Sequence, residues 1–145
     1  MERMRPYYQH DGITIYVEDA RVILPDLAAG LIVTDPPYNV GYNYEGYPDH
    51  LTGEEYQLLL RTTIRPPAII IHYPEPMFEL ARFLGVPKKV VAWIYNANTP
   101  RQWRSVAWFE IRPDFSLNGQ GYQNPTDRRI QQRIADGEQA RLYDW

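Results

Sequence analysis

The apolar run Leu31–Thr34 ends abruptly in Asp35-Pro36-Pro37-Tyr38, and this junction constrains the fold more than any other part of the chain. Apolar residues of this kind form a buried strand, whereas a proline pair ends a sheet because proline cannot donate to a strand ladder and its ring fixes φ. Asp35 is therefore predicted to stand at the carboxyl end of a strand. That is the edge where open α/β sheets bind their ligands.

Asp35 and the prolines after it have the chemistry to hold an amino group. A carboxylate accepts hydrogen bonds, and a prolyl segment offers carbonyl oxygens without competing N–H donors. If Asp35 and the Pro36 carbonyl each accept one N–H of an exocyclic amine, the nitrogen lone pair is drawn out of conjugation and points at an electrophile. Tyr38 can then stack on the ring that carries the amine. A simple strand-ending turn is the alternative, because Asp and Pro are common in turns.

With the residues around it the motif reads T-D-P-P-Y-N-V-G-Y, which resembles the catalytic motif of the S-adenosylmethionine-dependent DNA amino-methyltransferases. The resemblance implies that Asp35, Pro36, Pro37 and Tyr38 are the catalytic residues. It implies adenine N6 as the target, since the cytosine-N4 enzymes of the family usually have Ser at the first position. It also implies S-adenosylmethionine as cofactor, DNA as partner, and an α/β fold with a partial doubly wound, Rossmann-like sheet.

A second part of the resemblance lies upstream, in G-I-T-I-Y-V-E-D-A-R-V-I-L-P-D-L. In the β-type motif order of the family, a strand-end acid at this place lies near the adenine of the cofactor. This implies a cofactor-binding role for Asp19, although the family usually has Gly before that acid and this chain has Glu18. Asp19 is equally suited to cap a short helix that begins at Ala20.

The composition is that of one globular domain. A chain of 145 residues with 44% hydrophobic content can bury a sizeable core. It has no Cys, which excludes disulfides and thiolate metal sites, and its three histidines show no metal-ligand spacing. No apolar run approaches the roughly 18 residues of a membrane span and no signal-peptide pattern is present, so a cytoplasmic protein is expected.

Strand and helix patterns alternate along the chain and predict a largely parallel, doubly wound sheet. The last strand is expected to be antiparallel, because the link before it is too short for a helical crossover. Residues 1–112 are assigned to the catalytic, amine-binding half of a methyltransferase domain, and residues 113–145 to an irregular and helical segment near the target-recognition region. The predicted strands are 13–17, 31–34, 68–72, 90–95 and 105–111, and the predicted helices are 20–27, 53–62, 76–83 and about 126–135.

Two loops are expected to contact DNA, although the net charge of −3 does not indicate a basic surface overall. Tyrosines of the loop 38–50 can stack on bases, and arginines and amides of the loop 96–104 can contact phosphates and base edges. Packing within the protein is the alternative in both loops. The residues assigned to DNA contact are Tyr42 and Tyr44 in the first loop and Asn98, Arg101 and Arg104 in the second.

The glycine-rich turn F-x-G-x-G, which binds the methionine end of the cofactor in the family, is absent from these 145 residues. The G-x-G at Gly119 to Gly121 follows no predicted strand. The chain is therefore expected to be the amine-binding half of such an enzyme, completed by a second polypeptide or a second copy. Two other functions stay open: a non-catalytic remnant that binds DNA or a partner, and an unrelated small-molecule α/β enzyme.

Overall fold

The computed structural model describes residues 5–94, 102–114 and 126–137. Eight strands are present in these residues: β1 (Tyr8–His10), β2 (Ile13–Ile15), β3 (Ile32–Thr34), β4 (Asn43–Tyr44), β5 (Tyr47–Pro48), β6 (Ala68–His72), β7 (Lys89–Ile94) and β8 (Trp103–Phe109). The helices of the same residues are α1 (Ala20–Ile23), α2 (Gly53–Thr63), α3 (Pro74–Leu84) and α4 (Arg128–Ala135), and a short 3₁₀ turn (Leu24–Asp26) follows α1.

The central sheet has four strands in the order β3-β6-β8-β7. β3 and β6 pair in parallel, and β8 lies antiparallel between β6 and β7. The predicted antiparallel direction of the last strand is therefore confirmed. Its insertion makes the sheet mixed rather than largely parallel, although β3, β6 and β7 still run in one direction.

The core lies on one face of this sheet. Side chains of β6 and β8 alternate between buried and half-buried, and the buried set includes Ile70 and Phe109. Leu60 of α2 and Leu80 of α3 pack onto this same face. On the opposite face Val33 is 64% exposed. A doubly wound sheet has helices on both faces, so that part of the fold stays a prediction.

Local signals set the ends of α2 and α3. The Thr52 hydroxyl accepts the N–H of Glu55 at 3.3 Å, and the Glu55 carboxylate accepts the N–H of Thr52 at 2.9 Å, which confirms the predicted capping box. α3 begins at Pro74, two residues earlier than predicted, because proline suits the first helical position, where the N–H has no partner anyway. It ends at Gly85, whose φ of 83° favours glycine.

The segment 38–50 is an ordered hairpin rather than the irregular loop that the sequence predicts. β4 and β5 pair antiparallel, and the buried carboxylate of Asp49, 1% exposed, organises the backbone before them. It accepts the N–H groups of Asn39, Val40 and Tyr42 at 2.7, 3.0 and 2.8 Å. The side chain of Asn39 bonds both backbone groups of Leu51, at 2.6 and 2.8 Å. Residues just after the proline pair are therefore firmly held.

The remaining predicted elements are present with small differences. β2 ends at Ile15 rather than at residue 17, and it follows a strand, β1, that was not predicted. α4 confirms the predicted helix near residue 130. The division of the chain at residue 112 stays a prediction. None of the helices that the structure describes is long and apolar enough to cross a membrane.

Removing the Asp49 carboxylate tests the organisation of the hairpin. We expect Asp49→Ala to lower the free energy of unfolding in urea by about 2–3 kcal/mol, because three backbone N–H groups lose their buried charged acceptor. Asp49→Asn, which keeps one acceptor oxygen, should lie between this variant and the wild type. The control Glu45→Ala removes an exposed acid at the tip of the same hairpin. Equal losses in Asp49→Ala and Glu45→Ala would contradict this role of Asp49.

Candidate functional site

The candidate site lies at the edge of the sheet where β3 and β6 end. Asp35 follows the last residue of β3, as predicted, and Tyr73 follows the last residue of β6. β8 runs the other way, and its Ser105 pairs with His72, so its first residues reach this same edge. Arg104 is thereby brought beside the residues that follow β3. The sheet topology gathers side chains from three strand ends.

Asp35 and Tyr38 are joined directly. The Tyr38 hydroxyl donates a hydrogen bond to Oδ1 of Asp35. Burial raises the pKa of Tyr38 to about 12, and the bond to Asp35 contributes in the same direction, so the phenol keeps its proton at neutral pH. A carboxylate has about four lone-pair positions, and Tyr38 uses one of them. Asp35 therefore retains acceptor capacity for an amine while its orientation is fixed by Tyr38.

A buried pair of side chains holds the proline segment from the core side. The Tyr56 hydroxyl donates to the carbonyl oxygen of Pro37 at 2.7 Å and lies 2.5 Å from Nε2 of His72. Since the one hydroxyl proton points at Pro37, the proton between Tyr56 and His72 must belong to Nε2. Burial lowers the pKa of His72 to about 4, so its ring is neutral at neutral pH and has a single N–H. The buried pair His72–Tyr56 thus fixes the backbone carbonyl of Pro37. This role of His72 is structural, in keeping with the lack of metal-ligand spacing among the histidines.

Asp19 and Asp35 line the same pocket, which has a volume of about 590 Å³ and lies beside β3. Leu59 and Leu60 of α2 form part of its apolar wall. The sequence assigned the two acids separately, to the cofactor and to the amine. Their approach to one cavity is what a site that joins a cofactor to an amine requires.

Asp19 also caps α1. Its carboxylate accepts the N–H of Arg21 at 2.8 Å and pairs with the Arg21 guanidinium at 2.5 Å. These hydrogen bonds from Arg21 lower the pKa of Asp19 to about 2, so the group is ionised at neutral pH. The capping interpretation is confirmed, whereas the cofactor-binding role of Asp19 stays a prediction.

Arg104 does not have the position that the sequence suggested. Its guanidinium lies over the rings of Tyr38 and Tyr73, at 4.7 and 4.3 Å from their centroids. The side chain is half-buried and lies against the motif, and its predicted contact with DNA stays a prediction. Trp103 and Arg104 belong to β8, because this strand begins two residues before the predicted one.

The other residues assigned to DNA contact are only partly described. Tyr42 and Tyr44 are both exposed, and their ring centroids lie 4.8 Å apart. They remain accessible to a ligand, and their contact with DNA stays a prediction. Asn98 and Arg101 lie outside the described residues.

Sequence reasoning missed Tyr56 and Tyr73 at this site. A signal for Tyr73 exists, because it follows β6 as Asp35 follows β3, and neighbouring parallel strands end at one edge. Tyr56 lies within the predicted helix 53–62, where its local sequence favours packing against Leu51 and gives no sign of a site role. Its hydroxyl reaches a residue 19 positions earlier, and no local pattern reports a contact of that range.

Comparison with known proteins supports a relationship to methyltransferases. A segment of 47 residues is 47% identical to the type II methyltransferase M.MjaVI of Methanocaldococcus jannaschii. The match covers 32% of this chain and 24% of that protein, about a quarter of its length. No protein-family model matches the chain, and no solved structure matches it.

The neutral state of His72 predicts a pH dependence of stability. The pKa of His72 is about 4 in the folded protein against its ordinary value of 6.5. The unfolded chain therefore binds more protons between these values, and stability falls as pH decreases through this range. The loss from this group is about 3 kcal/mol over the whole range, at roughly 1.4 kcal/mol for each pH unit.

Urea unfolding of the wild type and of His72→Gln at several pH values measures this contribution. Carboxylates that titrate in the same range affect both proteins, so the difference between the two pH profiles isolates His72. We expect a steeper loss in the wild type between about pH 6.5 and pH 4. Parallel profiles would contradict a neutral, buried His72.

Proposed function

We propose that this chain is the amine-binding part of an S-adenosylmethionine-dependent methyltransferase whose target is the N6 amine of adenine in DNA. One observation carries the proposal: Asp35-Pro36-Pro37-Tyr38 stands at the carboxyl end of β3, and its first three residues line a pocket that Asp19 also lines. The segment related to an archaeal type II methyltransferase supports methyl transfer in general. The Asp at the first position of the motif favours adenine, by resemblance to the amino-methyltransferases.

The pocket has a size that suits the cofactor and a carboxylate that can accept hydrogen bonds from it. About 590 Å³ lies within the roughly 300–1,000 Å³ of small-ligand pockets. Asp19 would hold the adenosine part, as the resemblance implies, since the three N–H donors of Arg21 leave about one of the four lone-pair positions of this carboxylate. S-adenosylmethionine supplies an electrophilic methyl group on a sulfonium when it is bound.

The residues of this chain act on the amine. In this mechanism the adenine is turned out of the duplex and its ring stacks on Tyr38. Asp35 accepts one N–H of the N6 amine and the Pro36 carbonyl accepts the other, which frees the nitrogen lone pair for attack on the methyl carbon. With the cofactor bound to supply the methyl group, Asp35 would accept the proton that N6 loses on methylation, so that the methylated amine would leave neutral. No covalent intermediate with the enzyme forms.

A completing segment for the sheet is part of the proposal. β3 is an outer strand of the sheet in the described residues, with β6 on one side, and its Val33 is exposed. An exposed strand edge favours pairing with a further strand. We propose that a second polypeptide or a second copy supplies this strand, and that a second polypeptide would bring the glycine-rich turn for the methionine end of the cofactor.

A second candidate function is binding without catalysis. The exposed pair Tyr42 and Tyr44 supports it, because these rings can stack on bases without any methyl transfer. A protein of this kind keeps contact with DNA or with a partner, whereas its D-P-P-Y motif no longer transfers a methyl group. The two candidates differ in whether Asp35 affects any chemistry.

Substitution of Asp35 distinguishes them. In the assembly that transfers tritiated methyl groups to DNA, we expect Asp35→Ala to lower the rate at least about 100-fold, because a positioned acceptor is lost. Asp35→Asn should lose most activity too, since an amide oxygen accepts more weakly than a carboxylate. Asp35 is exposed, so both variants should fold normally. The control Asp26→Ala removes an exposed acid of the 3₁₀ turn. Retention of more than about a tenth of the rate in Asp35→Ala would exclude the proposed role of Asp35.

The need for a completing segment is tested on the chain of 145 residues alone. We expect it to self-associate in sedimentation velocity and to bind S-adenosylmethionine weakly in calorimetry, because Asp19 and Asp35 leave the methionine end unheld. Addition of a polypeptide that carries F-x-G-x-G should raise both solubility and cofactor affinity. A stable monomer that binds the cofactor at micromolar affinity and methylates DNA unaided would overturn this part of the proposal.

A further inference from the structure

Arg104 lies against two aromatic rings at the edge of the sheet. Its guanidinium carbon is 4.7 Å from the ring centroid of Tyr38 and 4.3 Å from that of Tyr73. The two rings contact each other, with centroids 4.8 Å apart and planes tilted by 51°. A planar cation over aromatic faces is attracted by the ring quadrupoles, and the attraction is stronger where water is partly excluded, as at this half-buried side chain. The three side chains therefore form one packed unit, the Arg104 clamp.

The Arg104 clamp is connected to the acceptor of the proposed amine. The Tyr38 hydroxyl donates to Asp35, and Arg104 hydrogen-bonds the same hydroxyl. Since Arg104 has only donors, the direction of the bonds is fixed from Arg104 to Tyr38 and from Tyr38 to Asp35. Hydrogen bonds in such a chain polarise one another. The position of the Tyr38 ring and the orientation of the Asp35 carboxylate both depend on the cation.

We infer that Arg104 is a positioning residue that acts through Tyr38 on Asp35, and that it is not a phosphate contact. Its guanidinium packs on two rings and its Nη1 atom is buried, so the side chain is held within the site rather than extended into solvent. Arginine suits the task because its plane stacks and its fork donates at the same time, which the ammonium of lysine cannot do. The effect of Arg104 on the reaction rests on the proposed function. Its effect on Tyr38 rests on geometry alone.

The first experiment needs neither DNA nor cofactor. The chain is prepared with ¹³C-labelled tyrosine, and the ring resonance of Tyr38 is assigned from its loss in Tyr38→Phe. We expect Arg104→Ala to shift this resonance, and Arg104→Lys to shift it as well because the flat stack is lost. The control Arg82→Ala removes an exposed arginine that pairs with Glu79 on α3, and it should leave the resonance unchanged. An unshifted Tyr38 resonance in folded Arg104→Ala or Arg104→Lys would overturn the inference.

The second experiment measures the reaction and DNA binding in the assembly that methylates DNA. A positioning residue should lower kcat about 10- to 100-fold in Arg104→Ala, while KM for DNA and the salt dependence of binding stay close to the wild type. A phosphate contact should instead weaken DNA binding at unchanged kcat and reduce the salt slope by about one. That second pattern would overturn the inference.

Failure of the proposed function is distinguishable from failure of the inference. If the wild type transfers no methyl group while the Tyr38 resonance shifts in Arg104→Ala, the proposed reaction is wrong and the Arg104 clamp on Tyr38 stands. If methyl transfer proceeds and Arg104→Ala leaves both kcat and the Tyr38 resonance unchanged, the reaction stands and the Arg104 clamp is refuted.

Discussion

Two consecutive prolines after β3 determine how the rest of the site is built. Residues 36 and 37 have no N–H groups, so the strand must end and their carbonyls need donors from elsewhere in the fold. Tyr56 of α2 supplies one donor, to Pro37, and is itself held by His72 at the end of β6. On the far side of the motif, Asp49 accepts the backbone N–H of Asn39, and the Asn39 side chain bonds the backbone of Leu51. A segment that cannot stabilise itself is thus held by two neighbouring elements.

The antiparallel strand β8 adds the cationic part of the site. A fourth strand parallel to β6 would bring its carboxyl end to this edge, whereas β8 brings its first residues, and with them Arg104. The charges then alternate around Tyr38, with a carboxylate on its hydroxyl and a guanidinium on its ring. Below them the buried pair His72–Tyr56 is uncharged, because burial lowers the pKa of His72 and raises that of Tyr56. The two charged side chains that contact Tyr38 therefore lie beside a neutral buried pair.

The parts of the fold that the sequence predicted are those with local signals. The capping box at Thr52 and Glu55 gave the start of α2, and the apolar run 68–72 gave β6 with its correct limits. The hairpin β4–β5 was missed because each of its strands has two residues, too short for any alternation to be recognised. The position of Arg104 was missed for a different reason, since it depends on which strands pair. Pairing of β8 with β6 joins residues more than 30 positions apart, and it is decided by packing rather than by propensity.

The central claim is that the Asp35 edge prepares an adenine amine for methylation. The most direct measurement is the identity of the modified nucleoside in DNA from cells that contain this chain together with a polypeptide carrying F-x-G-x-G and that have no other DNA methyltransferase. The DNA is digested to nucleosides and analysed by mass spectrometry. The account predicts N6-methyldeoxyadenosine, which disappears when Asp35 is replaced by Ala. N4-methyldeoxycytidine in its place, or no methylated nucleoside at all, would contradict it.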